Sequence, residues 1–211
     1  MQIKIFEFNM VCVNTYLIYD ETKEAALIDC GAYTANECKQ LAEYINFNQL
    51  KLKHLLNTHL HFDHVFGNRF IFDTYGLKPQ YHELEASMPG LKTQATGYNI
   101  PIDYEPVTAE HFIKENDLIL FGNSELKAIL TPGHSPGSLS FYSEKGNCVF
   151  TGDALFKQSI GRTDLWKGNQ STLVNAIRKN LLTLPDKTVV YSGHGPASTV
   201  EEEKQLNPYI N

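Results

Sequence analysis

The sequence predicts an α/β protein arranged as a four-layer sandwich, two β-sheets face to face with helices on their outer surfaces. Short β-branched and aromatic runs form meanders that lead into amphipathic helical segments, once in each half of the chain. Such pieces bury their apolar sides when sheet lies on sheet and helices close the outside. A further observation concerns chemistry: His and Asp stand at the ends of predicted strands, most densely in His59-Leu60-His61-Phe62-Asp63-His64.

Ile3–Phe8, Thr15–Tyr19 and Ala25–Ile28 read as consecutive antiparallel strands. Asp29-Cys30-Gly31-Ala32 ends the third at a turn. Thr34 and Glu37 then have capping-box spacing, and Cys38, Leu41, Ala42 and Ile45 trace a helical stripe. A strand over residues 51–58 runs into the histidine cluster, with Asp63 and His64 opening the next helix. A helix over Asn68–Tyr75 and a short strand near Lys78–Tyr81 follow. Residues 88–110 contain Pro89, Gly90, Gly97, Pro101 and Pro106 and show no period. A connection of that length is expected to border the functional site and is a candidate lid. Gly122-Asn123 and Lys145-Gly146-Asn147 sit between strand-like runs as hairpin turns. Leu173–Leu182 reads as a second amphipathic helix, Thr188–Tyr191 as the last strand, and Glu201–Glu203 as a solvated helix face behind a Thr199/Glu202 capping box.

At 211 residues, with 42% hydrophobic and 20% charged side chains, the chain suits one well-buried domain over residues 1–211. A net charge of −6 argues against a nucleic-acid partner, which would favour a basic face. Lys4, Glu7 and Asn9 interrupt the N-terminal apolar positions, so neither an export signal nor a membrane span is expected, and the compartment predicted is the cytoplasm. Cys12, Cys30, Cys38 and Cys148 include no C-x-x-C pair and are expected to be buried free thiols. Cys30, next to Asp29, is also a possible ligand.

His59 and His61 lie two apart on extended backbone and so point to one side. His134, Asp153 and His194 each end a predicted strand beside glycine, which lets backbone approach closely. Together with Asp63 and His64 they supply seven nitrogen and oxygen ligands, enough for two metal sites if a carboxylate bridges. His54, His82 and His111 lack this context.

With these residues in view, the chain resembles the metallo-β-lactamase superfamily, in which His-x-His-x-Asp-His and the later His134, Asp153 and His194 occur in this order. The resemblance implies one metal held by His59, His61 and His134 and a second by Asp63, His64 and His194, bridged by Asp153. Asp29 matches the family's supporting aspartate behind the ligands. The stretches at 151–156 and 161–165 and the tail from Ser192 are similar to the glyoxalase II group, the short bacterial hydroxyacylglutathione hydrolases. That implies cleavage of a thioester such as S-lactoylglutathione by a hydroxide bridging two divalent ions, zinc first, with iron or manganese compatible. Asp63 would be both ligand and orienter of the water. Arg162 is the candidate contact for a substrate carboxylate, against an internal ion pair with Asp164. The short tail after His194 predicts no appended C-terminal helical domain, so thioester chemistry is better supported than glutathione as the carrier. The alternative is a persulfide dioxygenase with one iron held by two His and one Asp. Lactonase chemistry also fits the scaffold. The partner expected is a small molecule, with no nucleic acid and no membrane, and the sequence sets no oligomeric state.

Overall fold

The computed structural model describes residues 1–210. Strands β1 (Gln2–Phe8), β2 (Val13–Tyr19), β3 (Glu24–Ile28), β4 (Lys51–Leu56) and β5 (Pro79–Gln80) form the first sheet in that order. The first three pair antiparallel, whereas β3, β4 and β5 run parallel, because α1 (Ala35–Phe47) crosses over between β3 and β4. The second sheet has six strands: β6 (Leu118–Phe121), β7 (Ser124–Leu130), β8 (Leu139–Ser143), β9 (Cys148–Gly152), β12 (Val189–Ser192) and β13 (Ser198–Thr199), in the order β13-β12-β9-β8-β7-β6. A small hairpin, β10 (Leu155–Phe156) with β11 (Ser159–Ile160), stands apart.

Alternation along the strands builds the layers. Tyr16, Ile18, Ala26, Ile28 and Leu56 face inward and meet Phe121, Leu126, Phe141 and Phe150 of the second sheet. Their neighbours Leu17, Ala25, Leu27 and Leu55 face out, beneath Leu41 and Ile45 of α1 and Ile71 of α3 (Asn68–Tyr75). On the far side Val149 and Val190 are covered by Leu173 of α5 (Gln170–Ala176) and Val200 of α6 (Val200–Leu206). The predicted α/β/β/α sandwich is therefore the observed fold. No described helix is long and apolar enough to cross a membrane.

Several elements differ from the sequence reading. The helix expected over Leu173–Leu182 starts at Gln170, capped by the Asn169 side chain, and widens into a π turn over Ile177–Leu181. The 88–110 stretch is not without structure: α4 (Leu91–Thr96) lies within it, preceded by a 3-10 turn over Glu83–Ser87. Buried His82 caps that turn, its Nδ1 accepting from the Leu84 N–H. The Thr199 cap on α6 is present, but Glu203 is fully buried rather than solvated, accepting from Gln158 N–H and Asn207 Nδ2. A charge run read as a face misses such a residue, because its partner Gln158 lies 45 positions away. Cys12 is exposed, and Cys30 belongs to the core beneath α1.

Candidate metal centre

β3 and β4 are parallel, and so are β7, β9 and β12, with β8 reversed between them. The loops leaving their C-terminal ends therefore open along common edges. Those loops carry Asp29 after β3, the 59–64 cluster after β4, His134 after β7, Asp153 after β9 and His194 after β12. The cluster itself bends as the sequence implies: His61 is the cap position of a one-turn helix, α2 (Phe62–Val65), which turns Asp63 and His64 back toward the strand ends.

Three imidazoles converge first. His134 Nε2 lies 2.8 Å from His61 Nδ1 and 3.2 Å from His59 Nε2. Their other nitrogens are committed elsewhere where a partner exists. His134 Nδ1 donates to the Arg162 carbonyl at 2.8 Å, and His59 Nδ1 donates to Thr58 Oγ1 at 3.0 Å, since that hydroxyl gives its own proton to Asp29 Oδ2. Burial pushes all three imidazoles down, His61 to about 3, with neighbouring imidazoles adding to the effect at His59 and His61. Neutral rings with lone pairs aimed at one point are a cation-binding arrangement.

The second group is richer in carboxylates. Asp63 Oδ2 is 3.1 Å from His194 Nε2 and 3.4 Å from His64 Nε2. Asp153 stands between the groups, with Oδ1 3.3 Å from His64 Nε2 and Oδ2 3.6 Å from His134 Nε2 and 3.7 Å from His194 Nε2. Burial alone would lower His64, but Asp63, Asp153 and Asp29 hold it well above its ordinary value. Burial would raise Asp153, yet His64, His134 and His194 hold it well below the usual carboxylate range. Asp29 Oδ2 accepts from His64 Nδ1 at 2.9 Å and its Oδ1 from Thr58 N–H at 2.8 Å, so one carboxylate orients His64 directly and His59 through Thr58. Its φ of +53° suits Asp better than most residues. His194 Nδ1 is held by the Val11 carbonyl at 3.1 Å.

The fit to metal ions rests on orphaned atoms. His64 Nε2 and Asp153 Oδ1 are buried and have no hydrogen-bond partner, a state that polar atoms in folded proteins rarely tolerate without a ligand. Three sets of donors, His59/His61/His134, His59/His64/Asp153 and Asp63/His64/His194, each lie within 4.8 Å of one another. Glycine is required for this approach: a Cβ on Gly193 would sit 2.1 Å from Asp153 Oδ1, and one on Gly161 1.8 Å from the Asp153 carbonyl. All seven predicted donors are thus brought together, with Asp29 behind them. Cys30 is not among them.

The centre lies at the floor of a cavity of 410 Å³, walled by Phe62, Met88, Tyr98, Leu165 and Trp166, with Arg162 on its rim. Met88 and Pro89 come from the 88–110 stretch, which does border the site. Arg162 Nε and Nη2 both donate to Asp164, at 2.7 Å each, and the pair is exposed. Its backbone carbonyl, the anchor for His134, escaped the sequence reading, as a side-chain argument cannot reveal a main-chain acceptor. Glu85 escaped as well. It is fully buried beside the His59 and His134 loops, and burial pushes its carboxyl up against the bonds it accepts.

A two-sheet scaffold with buried His and Asp donors gathered at its strand ends has the make-up of a metal-dependent enzyme. The sequence profile of the metallo-beta-lactamase superfamily matches residues 12–194, and the chain belongs to that superfamily. It is 33% identical to the hydroxyacylglutathione hydrolase GloC of Haemophilus influenzae, over 100% of this chain and 99% of that protein. It is 34% identical to the mitochondrial persulfide dioxygenase ETHE1 of Bos taurus, over 94% of this chain and 72% of the relative. Among solved structures, TTHA1623 in a di-iron-bound form superposes with a TM-score of 0.87 at 31% identity, covering 98% of this chain and 99% of that one.

Proposed function

We propose that the protein hydrolyses a thioester of the S-lactoylglutathione type, using two divalent ions, zinc ahead of iron or manganese. The observation that carries this reading is the division of seven donors into two groups with Asp153 between them, more than a single-iron site would use. End-to-end similarity to a hydroxyacylglutathione hydrolase supports the substrate class.

His59, His61 and His134 would hold one ion and Asp63, His64 and His194 the other, with Asp153 serving both. Bound ions of this kind supply a hydroxide at neutral pH and polarise a carbonyl oxygen. The chain's residues do the rest. Asp63, which borders the cavity, orients the attacking water. Phe62, Met88, Tyr98 and Trp166 line the cavity with apolar surface that holds the acyl thioester and thins out bulk water. A thiolate leaving group, whose thiol has a pKa of about 8.5, needs little help from a protonated side chain. Arg162 is the proposed contact for a substrate carboxylate, exchanging Asp164 for the ligand.

The test is a paired assay on protein loaded with two equivalents of metal. Loss of thioester absorbance from S-lactoylglutathione is expected, with no oxygen uptake on glutathione persulfide. Oxygen uptake by a protein holding one iron, without thioester cleavage, overturns the reading in favour of the dioxygenase.

A further inference from the structure

Leu60 lies between His59 and His61, and its N–H donates to Glu85 Oε2 at 2.9 Å. The other carboxylate oxygen, Oε1, accepts from Ser135 Oγ at 2.7 Å and from Gly137 N–H at 2.6 Å. Ser135 directly follows His134. One side chain, fully buried, is therefore bonded to both loops that carry the three converging imidazoles, across sequence separations of 25 and 50 residues.

A buried carboxylate is a costly strut. Desolvating it costs several kcal/mol, and among the described residues no Lys, Arg or His is ion-paired with Glu85. Apolar packing would join two loops with less penalty. What a carboxylate adds is directional acceptors that fix both loops at once. His61 has particular need of this. His59 and His134 are each steadied by a hydrogen bond from the ring nitrogen that points away from the cluster. Among the described residues His61 has no such bond, so its ring depends on the backbone beside it. That backbone is held by Glu85 at the Leu60 N–H and by Gln94, which accepts from Phe62 N–H and donates to the Leu60 carbonyl. The other donor group leans on different supports: Asp29 for His64, and the Val11 carbonyl for His194.

We propose that Glu85 is a positioning residue for the His59–His61–His134 half of the centre, setting the spacing of the two loops and hence the affinity of that half for its ion. This rests on the reading of the centre as a metal site, though not on the thioester substrate. Glu85→Gln keeps the shape but turns an amide N–H toward one of the three donors. Losing such a supporting group costs about 10–100-fold in metal affinity. The loss should fall on one half only.

The experiment is zinc titration of metal-free wild type and Glu85→Gln against a competing chelator, with imidazole NMR signals read at each equivalent. Wild type should take up two equivalents. In the variant one equivalent should weaken about 10–100-fold, with shifted or broadened signals of His59, His61 and His134 and unchanged signals of His64 and His194. Ser135→Ala, which removes one donor and keeps the carboxylate, should weaken the same half by a smaller factor, and it serves if Glu85→Gln does not fold. Equal affinity of both halves to wild type in the folded variants, or equal weakening of both, overturns the proposal. A wild type with no ion among His59, His61 and His134 overturns this proposal and the dinuclear reading together. Two bound ions without thioester cleavage would overturn the proposed function alone.

Discussion

Asp29→Asn isolates the support behind the centre. The replacement is nearly isosteric, and Asn tolerates the positive φ found at this position, so the backbone should persist. What changes is the acceptor set. Asp29 accepts three hydrogen bonds, from His64 Nδ1, Thr58 N–H and Thr58 Oγ1. An amide can accept at only one end, so one donor faces another donor and is left unsatisfied in a buried site. That costs about 1–3 kcal/mol, on the order of 5 °C in Tm for a chain of this size. His64 also loses the anion that holds its Nδ1–H. Comparable losses behind metal-binding histidines lower affinity about 10–100-fold, or about 1.4–2.7 kcal/mol at 1.36 kcal/mol per decade. The assay is chelator competition on metal-loaded protein, with thermal unfolding of the metal-free form alongside. The Asp63/His64/His194 group should release its ion first. A variant that keeps wild-type affinity in that group refutes the assignment of Asp29 as the residue that orients His64.

Other perturbations probe separate parts of the molecule. Gly193→Ala would drive a methyl group into Asp153 Oδ1 and His64 Cε1, so the purified chain should fold yet retain less than one ion by elemental analysis. Arg162→Ala should raise KM for carboxylate-bearing thioesters roughly tenfold and leave neutral ones unchanged. Metal content should stay near wild type, because the carbonyl holding His134 survives the substitution, and Tm should move little because the pair with Asp164 is exposed. Asp20 is buried where the β2–β3 turn meets the β6–β7 hairpin. Burial pushes its carboxyl up, but bonds from Thr22, Ser124 and Asn123 outweigh this and set it at about 2. Its stabilisation is present above the unfolded value of about 3.9 and is lost as pH falls through about 2. Asp20→Asn should therefore cost on the order of 2 kcal/mol at pH 7 and flatten the acid limb of urea-unfolding curves.

The parts of the fold legible in the sequence were those with local causes. The Thr34/Glu37 capping box forms as read, with both reciprocal bonds present. The His59–His64 cluster and the glycine-flanked His134, Asp153 and His194 were visible because strand ends and metal donors both leave short-range patterns. Illegible features depend on partners far along the chain. Glu85 sits in an aperiodic stretch, and only the folded loops bring Ser135 and Gly137 to it. Glu203 looks like one of three equivalent charges until Gln158, 45 positions away, donates to it. The π turn after α5 likewise has no composition that separates it from ordinary helix.

The donors come from both sheets, and this makes the centre a gauge of how the two halves dock. Asp29 and the 59–64 cluster belong to the first sheet, while His134, Asp153 and His194 belong to the second. The halves are tied near the site by Asn14 N–H to the Gly193 carbonyl, Leu139 N–H to the Thr58 carbonyl, and the Tyr16 hydroxyl to the Ser192 carbonyl. A slip of one sheet over the other by a fraction of an ångström would separate donors that no local substitution had touched. Trimming the inter-sheet layer, for example at Phe141 or Phe150, should then register as weaker ion binding well before the chain unfolds. The linkage also runs in reverse: an ion present at a thousand times its Kd would add about 4 kcal/mol to the docked state, so chelators should loosen the sandwich along its central seam.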